Sequence, residues 1–184
     1  MIATVVSCLL FIVHPLHTEV VANIKSRDEI LSLMFMVLAL YFSFLYMESK
    51  DNKHIAFAAL SYFIALLSKE YGASLVMLVP LGIYVYYKNI DLPSFAKLMG
   101  ALLVTFGIYY YLRSGVVLDI DQSAVQDSEL LNNPYLLADE NQAKATKAFI
   151  NLKYFLLLLL PWTMSSDYSY NVIPYKDFSD ISVI

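Results

Sequence analysis

Residues 14–29, HPLHTEVVANIKSRDE, place two histidines, a glutamate, a lysine, an arginine and an acidic pair between two strongly apolar stretches. Imidazole and carboxylate are ordinary zinc ligands, so His14, His17 and Glu19 are the most metal-like trio in the chain. Their spacing is not that of a helix-face pair, and Pro15 interrupts regular helix between the histidines. A loop that uses His17 and Glu19 to bind a polar or phosphate-bearing ligand fits these residues better than a metal does. Satisfied interfacial histidines are the purely structural alternative.

Three further clusters carry chemistry. Lys69 and Glu70 fall between two apolar runs. Near a membrane surface Lys69 suits a phosphate, with Glu70 to orient it, whereas an adjacent Lys-Glu pair is otherwise an ordinary solvated turn. Asp119 and Asp121 have the DxD form in which two carboxylates share a divalent cation, although so short a motif is more often a solvated loop. Asp167, Tyr168 and Tyr170 follow Pro161-Trp162, mixing an acid with amphipathic aromatics of the kind that also make interfacial belts. GxSxG, Walker and Rossmann glycine patterns do not occur, and five glycines are too few to suggest them.

The elements that must position these residues are apolar. The chain is 59% hydrophobic and 15% charged, with a mean hydropathy of +0.61, and the excess lies in runs rather than scattered. That is the pattern of an integral membrane protein. The 15 Tyr and 11 Phe suit anchoring at lipid–water interfaces. A net charge of −4 and the absence of a basic stripe argue against a nucleic-acid partner. Cys8 is the only cysteine, which excludes an internal disulfide and any cysteine-based metal site. VVSC (5–8) resembles a lipoprotein cleavage site only superficially, because a basic n-region and a full h-region are lacking.

Residues 30–47 and 95–112 are each long enough to cross a bilayer as a helix. Residues 55–67 and 75–87 become so with their weakly polar flanks, and residues 2–13 form a shorter run. Residues 141–160 differ: Lys144, Lys147, Asn151 and Tyr154 share one helical face, which predicts an amphipathic helix that lies in the interface or re-enters it. If each long run crosses once, 14–29, 68–74 and 113–147 fall on one side and 48–54 and 88–94 on the other. The unusual polar insertions then gather on one face, expected to be extracytoplasmic, and Arg113 joins them at the end of a span.

Four collinear pieces resemble a family. HPLHTEVVANIKSRDEILSLMF, LLSKEYG, NNP (132–134) and LLLLLPWTMSSDYSYNVIP resemble the membrane region of the transmembrane and tetratricopeptide-repeat proteins. These are similar to the protein O-mannosyltransferases of the GT-C superfamily. The resemblance covers residues 11–174 and implies transfer of a sugar, typically mannose, from a polyprenyl-phosphate donor to protein Ser or Thr hydroxyls. It implies an inverting displacement on the lumenal or periplasmic face.

By position, His14, His17, Thr18, Glu19 and Arg27 match the first motif, Lys69 and Glu70 the second, Asn133 the third, and Asp167, Tyr168 and Tyr170 the fourth. Lys69, Arg27 and Arg113 are the expected phosphate or substrate partners, Arg113 from its place at the end of a span rather than from a motif, and Glu19 a polar organiser. The family's catalytic acid lies in a first external loop that this chain lacks, and the tetratricopeptide repeats are also missing. The chain is therefore expected to be a fragment, inactive by itself.

The expected architecture is an all-α polytopic bundle of about five spans, GT-C-like, with one interfacial or re-entrant helix and a long external loop over 113–147. The partners are membrane lipid, a lipid-linked sugar donor and an acceptor protein. The membrane is the bacterial inner membrane or the endoplasmic reticulum, and the residues call for no metal. The alternatives are a non-catalytic membrane module that binds a lipid phosphate or a partner protein, and a transporter or channel. The last would want polar residues in mid-span, whereas here they sit at span ends, Ser61 and Thr105 excepted.

Overall fold

The computed structural model describes residues 2–118, 134–162, 164 and 172–180, and every regular element among them is helical. The chain divides into two compact units, one of residues 1–18 with 121–184 and one of residues 19–120.

Residues 19–120 hold the long helices. Helix α3 is Arg27–Ser49, α4 is Asn52–Ser68, α5 is Leu75–Tyr86 and α6 is Leu92–Leu118. A tight turn reverses the chain between α3 and α4. Lys50 takes the left-handed conformation (φ 59°) and its N–H donates to Tyr46 O at 2.8 Å, closing α3. Asp51 then caps α4, its carboxylate accepting from Lys53 N at 3.0 Å.

Small residues let α3 and α4 pack closely. Ser32, Ala39 and Ser43 on one helix and Ala58, Ser61 and Ala65 on the other are all buried. Where backbones approach this way, van der Waals contact and interhelical hydrogen bonds replace the hydrophobic effect as the cohesive force in lipid. Ser32 Oγ supplies such a bond, donating to Ala65 O at 3.2 Å. Leu98 and Leu102 of α6 join Tyr62 and Leu66 of α4 in the core, together with Leu75, Val79 and Ile83 of α5. Gly82 lets α5 approach α3: a Cβ there would stand 3.2 Å from the Phe44 ring.

Among the described residues two helices are long and apolar enough to cross a membrane, α3 and the Leu92–Gly115 part of α6. Their apolar side chains mostly face outward, as with Leu33, Met34 and Val37 on α3 and Leu103, Val104 and Ile108 on α6. A soluble core helix would bury them; apolar surface all round suits lipid. The apolar segments Ile2–Ile12 and Glu70–Tyr86 are shorter. An expectation of about five crossings thus goes beyond the two helices that are both long and apolar enough among the described residues.

In the other unit, α1 (Ile2–Ile12) leaves the His-Pro stretch through a turn in which His14 N donates to Phe11 O at 3.3 Å. Helix α2 (His17–Ala22) follows Pro15, beginning in this stretch and continuing into residues 19–120. Helix α7 (Glu140–Leu159) forms where the polar-face pattern predicts a helix. It starts with a capping box, Gln142 N donating to Asp139 Oδ1 at 2.7 Å and Asp139 N to Gln142 Oε1 at 3.3 Å. Lys176 packs on α7, its ammonium 5.3 Å from the Phe149 ring centroid. Tyr175 OH donates to Pro134 O at 2.7 Å, and Lys176 N donates to the buried Thr146 Oγ1 at 2.9 Å.

Candidate functional site

Because α3 runs opposite to α4 while α4 and α6 run in the same direction, the starts and ends of distant segments come together. At one end of the bundle lie residues 27–29, 69–70 and 113, tied by ion pairs across α3, α4 and α6. At the opposite end Lys50 pairs with Asp91 at 3.3 Å, Lys97 donates to Asn52 Oδ1 at 2.7 Å, and Tyr87 OH donates to Phe44 O at 3.2 Å. Residues 27–29, 69–70 and 113 thus share one end of the helices of residues 19–120, and residues 50, 52, 87, 91 and 97 the other.

Lys69 is the centre of the first cluster. As the C-cap residue of α4 it has extended backbone (φ −155°, ψ 141°), and its N–H still donates to Ala65 O at 3.0 Å. The side chain thus leaves the helix at its carbonyl end, where a cation is favoured by the helix dipole. Its ammonium donates to Asp28 Oδ2 at 2.9 Å and to Glu29 Oε1 at 3.2 Å. Those carboxylates occupy the first turn of α3, where the dipole favours negative charge. The Tyr71 ring centroid is 5.7 Å from the same ammonium, within cation–π range. Hydrogen bonding to Asp28 first, and to Glu29 next, raises the Lys69 pKa above the ordinary lysine value.

Glu70 faces a different cation from the one expected. The 3-10 turn Glu70–Ser74 carries its carboxylate to Arg113, whose guanidinium also donates to Tyr109 OH at 2.9 Å. The expectation that Glu70 orients Lys69 is corrected here: its ion pair is with Arg113, and Asp28 and Glu29 hold the lysine. The turn redirects the chain straight after Lys69, so adjacent side chains serve separate partners. Arg27 is exposed at the first position of α3. The cluster of Arg27, Lys69 and Arg113 with Asp28, Glu29 and Glu70 has three positive and three negative groups, so its formal charge is zero.

Sequence reasoning missed Asp28, Glu29 and Tyr109. The acidic pair stood out within SRDE, but nothing local ties it to a lysine forty residues on.

His14 and His17 belong to the other unit. Their rings meet edge-on with centroids 6.0 Å apart, and His17 leans on Phe11 at 4.4 Å. His14 Nδ1 accepts from Leu16 N at 3.3 Å, while its Nε2 is buried without a hydrogen-bond partner among the described residues. Among those residues no three His, Cys, Asp or Glu side chains are grouped to hold a metal ion. Glu19 has its backbone in α2, and its side chain lies outside the description. Asn133, Asp167, Tyr168 and Tyr170 lie outside the described residues, as do Asp119 and Asp121.

Comparison with known proteins finds relatives that share a name. A protein O-mannosyl-transferase of Caenorhabditis elegans is 29% identical over 166 residues, covering 90% of this chain and 22% of that protein. The human protein O-mannosyl-transferase TMTC4 is 27% identical across 99% of this chain and 28% of its own length. Human TMTC3 is 37% identical over 78 residues, 40% of this chain and 8% of that protein. The chain thus spans between 8% and 28% of the length of these relatives. No family model matches the chain, and no solved structure matches it.

Proposed function

We propose that this chain is part of the membrane region of a protein O-mannosyl-transferase that moves mannose from a polyprenyl-phosphate donor to protein Ser or Thr hydroxyls. The observation that carries the reading is the gathering of Lys69, Arg113 and Arg27 at one end of a bundle that contains membrane-length helices. A donor with an isoprenoid tail is fed from the bilayer, along outward-facing apolar surfaces like those of α3 and α6. Its phosphate needs cations at the membrane boundary, where the leaving-group charge develops. The names of the relatives supply the sugar and the acceptor class.

In this reading Lys69, Arg27 and Arg113 face the donor phosphate. Glu70 acts through Arg113 as a positioning residue. His14, His17, Glu19, Asn133, Asp167, Tyr168 and Tyr170 are further substrate contacts. The bundle has a GT-C-like, multi-pass arrangement of about five spans, and the charged end is extracytoplasmic, in the endoplasmic reticulum or a bacterial inner membrane. A carboxylate deprotonates the acceptor hydroxyl as it attacks the sugar.

The test is transfer of labelled mannose from a polyprenyl-phosphate donor to a Ser/Thr peptide by membranes that carry the full gene product. Lys69→Ala is expected to abolish transfer without loss of folded protein. Unchanged turnover in that variant would sink the reading. A second reading, a non-catalytic module that binds lipid phosphate, is favoured by one observation: Lys69 and Arg113 are already ion-paired within the chain. It predicts binding of polyprenyl phosphate with no transfer in the same assay.

A further inference from the structure

The charge balance of the Lys69 cluster constrains how any anion can bind there. Asp28 and Glu29 give the lysine more negative charge than it neutralises: one ammonium faces two carboxylates. Arg113 is taken by Glu70. A phosphate approaching this end of the bundle therefore meets a formally neutral set of six groups, and the two carboxylates adjoining its target repel it. We propose that Asp28 and Glu29 set the charge requirement of the Lys69 site, so that a phosphate monoester binds there by exchanging with them for the ammonium.

This inference rests on the reading of Lys69 as a phosphate partner. The geometry suits exchange. The Asp28 and Glu29 side chains are 41% and 32% exposed, so water can take over their hydrogen bonds when the ammonium leaves. Both sit in the first turn of α3, whose dipole continues to favour their ionised form. Lys69 is attached at the end of α4 by a flexible stem, and its three donors can be redirected without moving the backbone.

Two opposing effects follow from removing either carboxylate. Loss of an anchor frees the lysine side chain, and immobilising one such side chain is worth up to about tenfold in affinity. Loss of a negative charge beside a bound dianion acts in the other direction. At an effective dielectric of about 20 a unit charge several ångströms away is worth on the order of a hundredfold for each unit of charge on the phosphate, and solvent screening of these partly exposed groups reduces the whole to about tenfold or somewhat more. Isosteric amides keep most of the anchor, because their carbonyl oxygen still accepts from the ammonium. The charge effect then wins, and neutralising the carboxylates tightens binding.

The experiment uses the chain in phosphatidylcholine nanodiscs titrated with farnesyl monophosphate. Asp28→Asn and Glu29→Gln are each expected to bind about tenfold more tightly than the parent chain. The gain should shrink as salt rises, since it arises from charge in partly exposed groups. Glu29→Asp keeps the charge and is expected to bind no tighter than the parent. Farnesol should not reproduce the ranking of the variants, whereas inorganic phosphate should reproduce it at lower affinity.

Lys69→Ala separates the two levels of the argument. If it binds as the parent does, the phosphate reading of Lys69 fails and this inference fails with it. If it loses binding while Asp28→Asn and Glu29→Gln bind equally or more weakly, the phosphate reading stands and the exchange is overturned. Equal tightening by Glu29→Asp would also overturn it, by assigning the effect to geometry rather than charge.

Discussion

Gly72 lies directly against the backbone of Ala65: a Cβ added at residue 72 would stand 3.2 Å from the Ala65 carbonyl carbon and 3.1 Å from Leu66 N. The neighbours are main-chain atoms inside α4, so they cannot turn aside as a side-chain tip would. This contact folds the Glu70–Ser74 turn back onto the end of α4 and so fixes where Lys69 and Glu70 point. Gly72→Ala is expected to lower stability by about 1–3 kcal/mol, the usual range for overpacking a tight site. Reversible unfolding in mixed detergent micelles would measure it. A variant as stable as the parent would mean that the turn does not rest on α4.

Tyr62 gives the opposite expectation. Its side chain is fully buried in the core between the helices, and its hydroxyl has no hydrogen-bond partner among the described residues. A hydroxyl kept from both water and protein carries a desolvation cost without a compensating bond. Tyr62→Phe removes that cost and preserves the ring, so it should stabilise the fold by about 1 kcal/mol. The same unfolding measurement decides the matter. A marked loss of stability would show that the hydroxyl is bonded in the folded protein.

Much of this fold is legible in the sequence because apolar runs have a length and an order. The runs over 30–47, 55–67, 75–87 and 95–112 became α3 to α6, and their order places 27–29, 69–70 and 113 at one end of the bundle. The polar face over 141–160 likewise marked α7. What the sequence does not carry is the partner of each charge. Lys69 and Glu70 are neighbours in the chain, yet a 3-10 turn begins between them and sends them to opposite partners. Asp28 and Glu29 read as an acidic pair before an apolar run, which is what a helix N-terminus wants in any case. Their second role depends on the packing of α3 against α4, and that packing is set by small residues such as Ser32 and Ala65 rather than by charge.

The far end of the bundle should respond to acid. The Ser94 hydroxyl, and after it the Lys50 ammonium, hold the Asp91 carboxyl below its ordinary pKa. A carboxyl with a depressed pKa in the folded state contributes stability above its unfolded value. That contribution is lost as pH falls through the lower folded value. Stability is thus expected to be constant above about pH 5 and to fall below about pH 4 as this link is protonated. Asp91→Asn should remove part of the fall and leave the neutral plateau slightly lower. An identical acid profile in the variant would show that the link between α3 and the start of α6 plays no part.

The last prediction concerns which cation Glu70 serves. Residues that share an ion pair show coupled effects when both are changed, whereas residues with separate partners add. Glu70 pairs with Arg113, and Arg113 is braced by Tyr109, while Lys69 is held by Asp28 and Glu29. In farnesyl monophosphate binding, Glu70→Gln and Arg113→Ala should therefore be strongly non-additive: once the guanidinium is gone, changing Glu70 should matter little. Glu70→Gln combined with Lys69→Arg should be close to additive, since the arginine keeps a cation at residue 69 and leaves binding to measure. A double-mutant cycle on these two pairs, read by titration in nanodiscs, compares them directly. Strong coupling of Glu70 to residue 69 with none to Arg113 would restore the simple Lys-Glu pair that adjacency in the sequence suggests, and would remove Arg113 from the site.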